Sequence, residues 1–187
     1  MAELASRRLT WSNALTALRL LAAPFFWCAL VGDSIGLACG LFGLAVATDM
    51  ADGRLARARG EVSAFGGLLD HATDASFVTL GLAALAARGI VPWALPALVA
   101  AAFVQYVLDS KSLAGRELQG SFLGRWNGIL YFVPLGIFVT REALRLDWPS
   151  DLSIRSFALA LVASTILSMA ARARTLLRLR SRTDDSL

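Results

Sequence analysis

Four aspartates carry the chemistry that this sequence makes available. Asp49 and Asp52 lie three residues apart, Asp70 and Asp74 lie four apart, and Gly53, Ala56, Arg57 and Gly66 fall between the two pairs. On a helix, positions 49, 52, 53 and 56 share one face, and positions 66, 70 and 74 form a second stripe. Each helix then presents two carboxylates and a glycine along one line. Two such helices packed together bring four carboxylates to one place, with glycines leaving room for a ligand at the backbone. Oxygen-only donors of this kind suit hard divalent cations such as Mg2+ or Mn2+, whose sites keep water and substrate phosphate. Two cations bridged by carboxylates are an established arrangement for displacement at phosphorus. A cation or proton path through a membrane also uses aspartates, but it does not require Gly53, Ala56, Arg57 and Gly66 at these offsets.

The elements that must position these groups are read from the apolar pattern. The chain has 187 residues, of which 57% are hydrophobic and only 17% charged, with a mean hydropathy of +0.61. A soluble domain is nearer half apolar and a quarter charged. Here the apolar residues run in blocks, six of them long enough to cross a bilayer as helix, at roughly 15–32, 35–52, 66–88, 92–109, 124–141 and 154–172. The pattern predicts an all-α integral membrane protein, a bundle of about six helices forming one domain over residues 1–187. Asn13 and Arg19 interrupt the first block, which is therefore read as a retained helix and not a cleaved leader. Pro24 and Pro134 fall inside spans, where neighbouring helices can satisfy the freed carbonyls. Gly36, Gly40, Gly43 and Ala47 predict close helix approach within the bundle. Cys28 and Cys39 read as small buried hydrophobes, with no disulfide framework and no metal spacing.

Basic residues set the orientation. With both termini on one side, that side receives Arg7, Arg8, Arg54, Arg57, Arg59, Lys111, Arg116, Arg125, Arg172, Arg174, Arg178, Arg180 and Arg182. The other side receives Arg88, Arg141, Arg145 and Arg155, and Arg19 lies inside the first span. This bias predicts cytoplasmic termini. The aspartate-bearing connection between the second and third spans then faces the cytoplasm, as does the one between the fourth and fifth. Residues 142–153 read as the longest outward loop, and the arginine-rich tail 173–187 as an anchor on anionic lipid. The net charge of +4 is explained by these ends and loops; no soluble basic face for nucleic acid is apparent. Four aspartates inside spans would cost on the order of 10 kcal/mol on insertion scales, a cost that falls near the cytoplasmic edge and on binding cations.

The full pattern, D-x2-D-G-x2-A-R-x8-G-x3-D-x3-D, resembles the signature of the CDP-alcohol phosphatidyltransferase family, and every fixed position is filled. The opening Asn13-x-Leu15-Thr16-x2-Arg19-x4-Pro24 is similar to the first helix of the phosphatidylglycerophosphate synthase branch. The resemblance implies that Asp49, Asp52 and Asp70 hold two divalent cations, Mg2+ or Mn2+. It makes Asp74 the catalytic base, with a contact to metal as well. It also implies a CDP-linked lipid donor such as CDP-diacylglycerol, CMP as leaving group, and a homodimer in the bilayer.

Beside it, Gly53, Ala56 and Gly66 leave room for the nucleotide and Arg57 suits a phosphate oxygen through its planar fork. Arg54 and Arg59 read as loop charge. Thr48 either neighbours the nucleotide or packs in the core. Lys111, Arg116 and Arg125 form either an anionic pocket for a phosphorylated polyol or a topological signal. Glycerol 3-phosphate leads as acceptor, ahead of inositol phosphate. Relatives using glycerophosphate commonly show Asp-Pro-x-Ala-Asp-Lys where this chain has Asp70-His71-Ala72-Thr73-Asp74-Ala75. His71 is expected to pack between helices beside Asp70. The rival class is a cation-coupled transporter.

Overall fold

Apolar stretches of this length fold as helix because nothing else satisfies their backbone groups away from water. The computed structural model describes residues 11–59, 64–112 and 122–184, with side chains over 15–51, 67–109 and 122–175. Seven helical segments occur among the described residues, and no strand: α1 (Trp11–Val31), α2 (Ile35–Arg59), α3 (Ala64–Ala87), α4 (Ala94–Ser112), α5 (Phe122–Leu130), α6 (Phe132–Leu144) and α7 (Asp151–Asp184). The stretches Phe122–Leu144 and Asp151–Thr175 are long and apolar enough to cross a membrane; Leu15–Val31, Ile35–Ala51 and Ala94–Asp109 are shorter apolar helices. Large apolar side chains also face outward, among them Leu21, Phe25, Phe122, Leu152 and Leu167. Helices apolar on every side are what a membrane bundle requires.

The segments end where local chemistry predicts. After α3, Gly89 takes a left-handed φ of 76°. Its N–H bonds to Ala86 O at 2.9 Å while that of Ile90 reaches Leu85 O at 3.0 Å, the paired bonds of a Schellman end. Arg88 then reaches across to α1, donating to Leu30 O at 2.6 Å and pairing with Asp33. At α7, Ser150 Oγ accepts the N–H of Ser153 at 3.3 Å, a helix N-cap. The fifth span divides at Tyr131. Pro134 lacks the N–H that would reach the Leu130 carbonyl, and its ring crowds that oxygen.

α1 lies against α3 and α2, α6 against α2 and α3, and α7 against α4 and α5. The core forms where α1, α3 and α6 meet. Phe26 stacks on Phe77 with centroids 4.7 Å apart, and Gly81 fits beneath them. A Cβ at Gly81 would come within 2.8 Å of Phe26 and 2.9 Å of Leu135, both fully buried.

Some expectations change. The glycine stripe does not pack inside the bundle: Gly36, Gly40 and Gly43 have open space around them, and Ala47 is exposed too. Helix α2 makes its contacts with its other face, through Ala38, Phe42 and Ala45. Cys28 is exposed, on the same outward side of α1 as Leu21 and Phe25, while Cys39 is partly buried. The outward loop shrinks to residues 145–150 because α6 runs on to Leu144 and α7 begins at Asp151. The arginine-rich end is helical through Asp184.

Gly81→Val should overpack this junction and cost about 1–3 kcal/mol, read as a lower unfolding midpoint in detergent. An unchanged midpoint would show that Phe26 and Leu135 have room to move.

Candidate functional site

Asp49 of the first predicted stripe meets Asp70 and Asp74 of the second. α2 brings Asp49 and α3 brings Asp70 and Asp74, and one oxygen from each lies within 4.8 Å of the others. Asp52, Gly53, Arg54, Ala56, Arg57 and Arg59 fall within α2, and Gly66 within the first turn of α3; their side-chain placement lies outside the described residues. Lys111 falls at the end of α4 with its side chain outside the described residues, and Arg116 lies outside them altogether. Asp49 is about half exposed (51%), Asp70 and Asp74 less so, at 33% and 29%. Three carboxylates this close repel strongly unless a cation sits among them.

A cation does. Arg19, from the middle of α1, is fully buried, and its Nη1 lies 3.5 Å from Asp49 Oδ1 and 3.2 Å from Asp70 Oδ1. The same nitrogen donates to Asp74 Oδ1. Arg19 Nε donates to Thr48 Oγ1 at 3.5 Å, and the Thr48 hydroxyl lies against the Leu44 and Ala45 carbonyls of its own helix. Thr48 is therefore a buried support for Arg19. Sequence reasoning left Arg19 as one residue of a weak motif. An arginine placed mid-span costs several kcal/mol unless it has an anionic partner, and that was the available signal.

The aspartates open into a cavity of about 670 Å3, within the usual range for a small-molecule site. Asp49, Asp74, His71, Tyr106, Arg125 and Arg172 are among its lining residues. His71 is exposed. Its Nδ1 lies 2.9 Å from Gly67 O, and its ring stacks on Tyr106 at 5.5 Å. It thus packs on α4 as expected, but at the edge of the cavity. The Arg172 guanidinium lies 5.5 Å from the centroid of the same Tyr106 ring. Arg172 can lie flat against α5 because Gly124 has no side chain: a Cβ there would stand 2.9 Å from its Nη2. Asp109, also buried, has Arg172 as its charged neighbour.

Deeper in, the floor is polar. Tyr131 OH and Thr165 Oγ1 are 2.7 Å apart, and Ser164 Oγ donates to Asn127 Oδ1 at 2.7 Å. Asn127 Nδ2 and Gln105 Oε1 are buried without hydrogen-bond partners. Of the basic residues proposed for a pocket, Arg125 reaches the cavity. Arg172, counted in the sequence only for topology, reaches it too.

The profile of the CDP-alcohol phosphatidyltransferases matches residues 9–175. The chain belongs to this family. No curated protein and no solved structure matches it. A CDP-alcohol phosphatidyltransferase is a transferase of phospholipid synthesis, not a cation-coupled transporter. Family members use divalent metal, and the donor set fits one. Mg2+ at about 2.1 Å from each ligand spans oxygens up to about 4.2 Å apart, so carboxylates within 4.8 Å need only a small contraction.

Mn2+ should accordingly raise the unfolding midpoint of the solubilised protein, by about 2.7 kcal/mol of stabilisation at a hundredfold excess over Kd. Asp70→Asn should abolish most of that rise. An equal rise in the variant would place the ion elsewhere.

Proposed function

We propose that this transferase moves a phosphatidyl group from CDP-diacylglycerol to the hydroxyl of a phosphorylated polyol and releases CMP. The observation that carries the reading is the convergence of Asp49, Asp70 and Asp74 beside a cavity that two arginines, Arg125 and Arg172, also line. Glycerol 3-phosphate is the lead acceptor and inositol phosphate the second. Asp70-His71-Ala72-Thr73-Asp74-Ala75 lacks the proline and lysine of the glycerophosphate pattern, which keeps the second in place.

Each residue has a role in this reading. Asp49, Asp52 and Asp70 hold divalent cation, with Asp74 alongside. What the cation supplies when bound is neutralisation of the diphosphate and of CMP as it leaves. Asp74 takes the proton of the acceptor hydroxyl as that oxygen attacks the phosphorus bearing the lipid. Gly53, Ala56 and Gly66 admit the nucleotide, and Arg57 binds a phosphate oxygen. Arg125 and Arg172 draw the acceptor's phosphate into the cavity, where a planar guanidinium pairs with two oxygens at once. Orientation of the hydroxyl against the phosphorus supplies much of the rate.

The setting is a multi-pass protein of six spans with both termini in the cytoplasm. The aspartate cluster then lies toward the cytoplasmic edge, where CDP and a soluble acceptor are accessible. The arginine asymmetry supports this orientation. The homodimer implied by the family belongs to the same reading.

Purified protein with Mn2+ or Mg2+ should release CMP from CDP-diacylglycerol when offered the right acceptor. A panel of alcohols, read by the mass of the lipid formed, names that acceptor. Asp74→Asn should keep CDP-lipid binding and lose about a hundredfold or more in turnover; normal turnover would remove it as the base. Arg172→Gln should raise KM for the phosphorylated acceptor about tenfold while leaving KM for the CDP-lipid unchanged. A preference for neutral alcohols would overturn the anionic acceptor.

A further inference from the structure

Arg19 has no part in the chemistry just described, yet it stands at its centre. A single nitrogen, Nη1, is the point on which Asp49, Asp70 and Asp74 converge. That is also where a divalent cation held by the same oxygens must sit. The two cannot share it. Mg2+ draws each oxygen to about 2.1 Å, whereas a guanidinium N–H keeps a carboxylate oxygen at about 2.8 Å. Nη1 inside the contracted ring would press on the ion itself, charge against charge.

We propose that Arg19 is a built-in stand-in for the cation. It gathers Asp49, Asp70 and Asp74 while no divalent ion is bound, competes with the ion for them, and releases Asp74 as the ion enters. This rests on reading the cluster as a cation site. Arg19 is a positioning residue: it touches neither the nucleotide nor the reacting atoms. Without it, three carboxylates packed against an apolar bundle would repel one another and splay. With it, the ligand set is assembled before the ion arrives, at the cost of some affinity for that ion. Thr48 contacts the Nε edge of the guanidinium on α2, and because that group is one rigid plane it must shift as a unit when the ion enters.

Mn2+ binding to the full chain in detergent, followed by the loss of free-ion electron paramagnetic resonance signal, tests this directly. Arg19→Met should bind Mn2+ about tenfold or more tightly than wild type, because a competing unit charge is gone. Its unfolding midpoint in EDTA should fall below the wild type's, and saturating Mn2+ should close most of that gap. Arg19→Lys, which restores the charge, should return both readings toward wild type. Arg19→Gln keeps N–H donors without the charge and carries the same expectation as Arg19→Met, should the latter not fold. Equal or weaker Mn2+ binding in the neutral variants overturns the stand-in role while leaving the cation site intact. A midpoint deficit that persists unchanged at saturating Mn2+ makes Arg19 an ordinary structural ion pair. Binding by neither wild type nor variants removes the cation site and this inference together.

Discussion

A buried positive charge among negative ones organises this molecule. Arg19 has no exposure, and α1 carries it to a point where α2 and α3 both present carboxylates. Arg19 is buried while its carboxylate partners are part-exposed, so the guanidinium depends on them for compensation more than they depend on it. The three helices are therefore tied in register by charge at one level and by packing at another. The packing level is the Phe26–Phe77 stack over Gly81. Apolar contact between helices in lipid specifies position weakly, because lipid tails are as apolar as the side chains. The electrostatic tie supplies the specificity that the apolar surfaces lack.

The opposite end of the bundle has a clasp of its own. Arg88 joins α3 to the end of α1, and Arg141 reaches Asp151 at 2.7 Å and Pro149 O at 2.9 Å. Both guanidinium groups lie over the Phe138 ring, at 5.2 and 5.4 Å. Fixed there, the helices can leave a cavity open between their other halves. The site thus combines carboxylates on α2 and α3 with long side chains on α4, α5 and α7.

Much of this was legible in the sequence because the rules involved are local. Helical spacing put Asp49 in reach of the line of Asp70 and Asp74, and the apolar blocks located the helices, with α2 and α7 running on well past their blocks. What stayed hidden depends on which face of a helix meets which neighbour. Gly36, Gly40 and Gly43 have the composition of an interface, yet Ala38, Phe42 and Ala45 on the other side of α2 make the contacts. Cys28 was misplaced for the same reason. Arg172 was concealed by its position at the end of the apolar block: a charge count treats it as a topological signal, whereas in the fold its guanidinium lies over Tyr106. Arg19 was visible as an anomaly, and only the fold names its partners.

The division of the fifth span at Tyr131 separates two mechanical duties. α5 carries Arg125 and Asn127 at the cavity, while α6 carries Leu135 and Phe138 in the densest part of the core. Pro134 removes the hydrogen bond that would have spliced the pieces into one stiff rod. A continuous helix would act as a lever, passing any tilt at the cavity directly into the packing around Gly81. The break at Tyr131 leaves the cavity-lining piece and the core piece as two shorter segments, each held by its own partners.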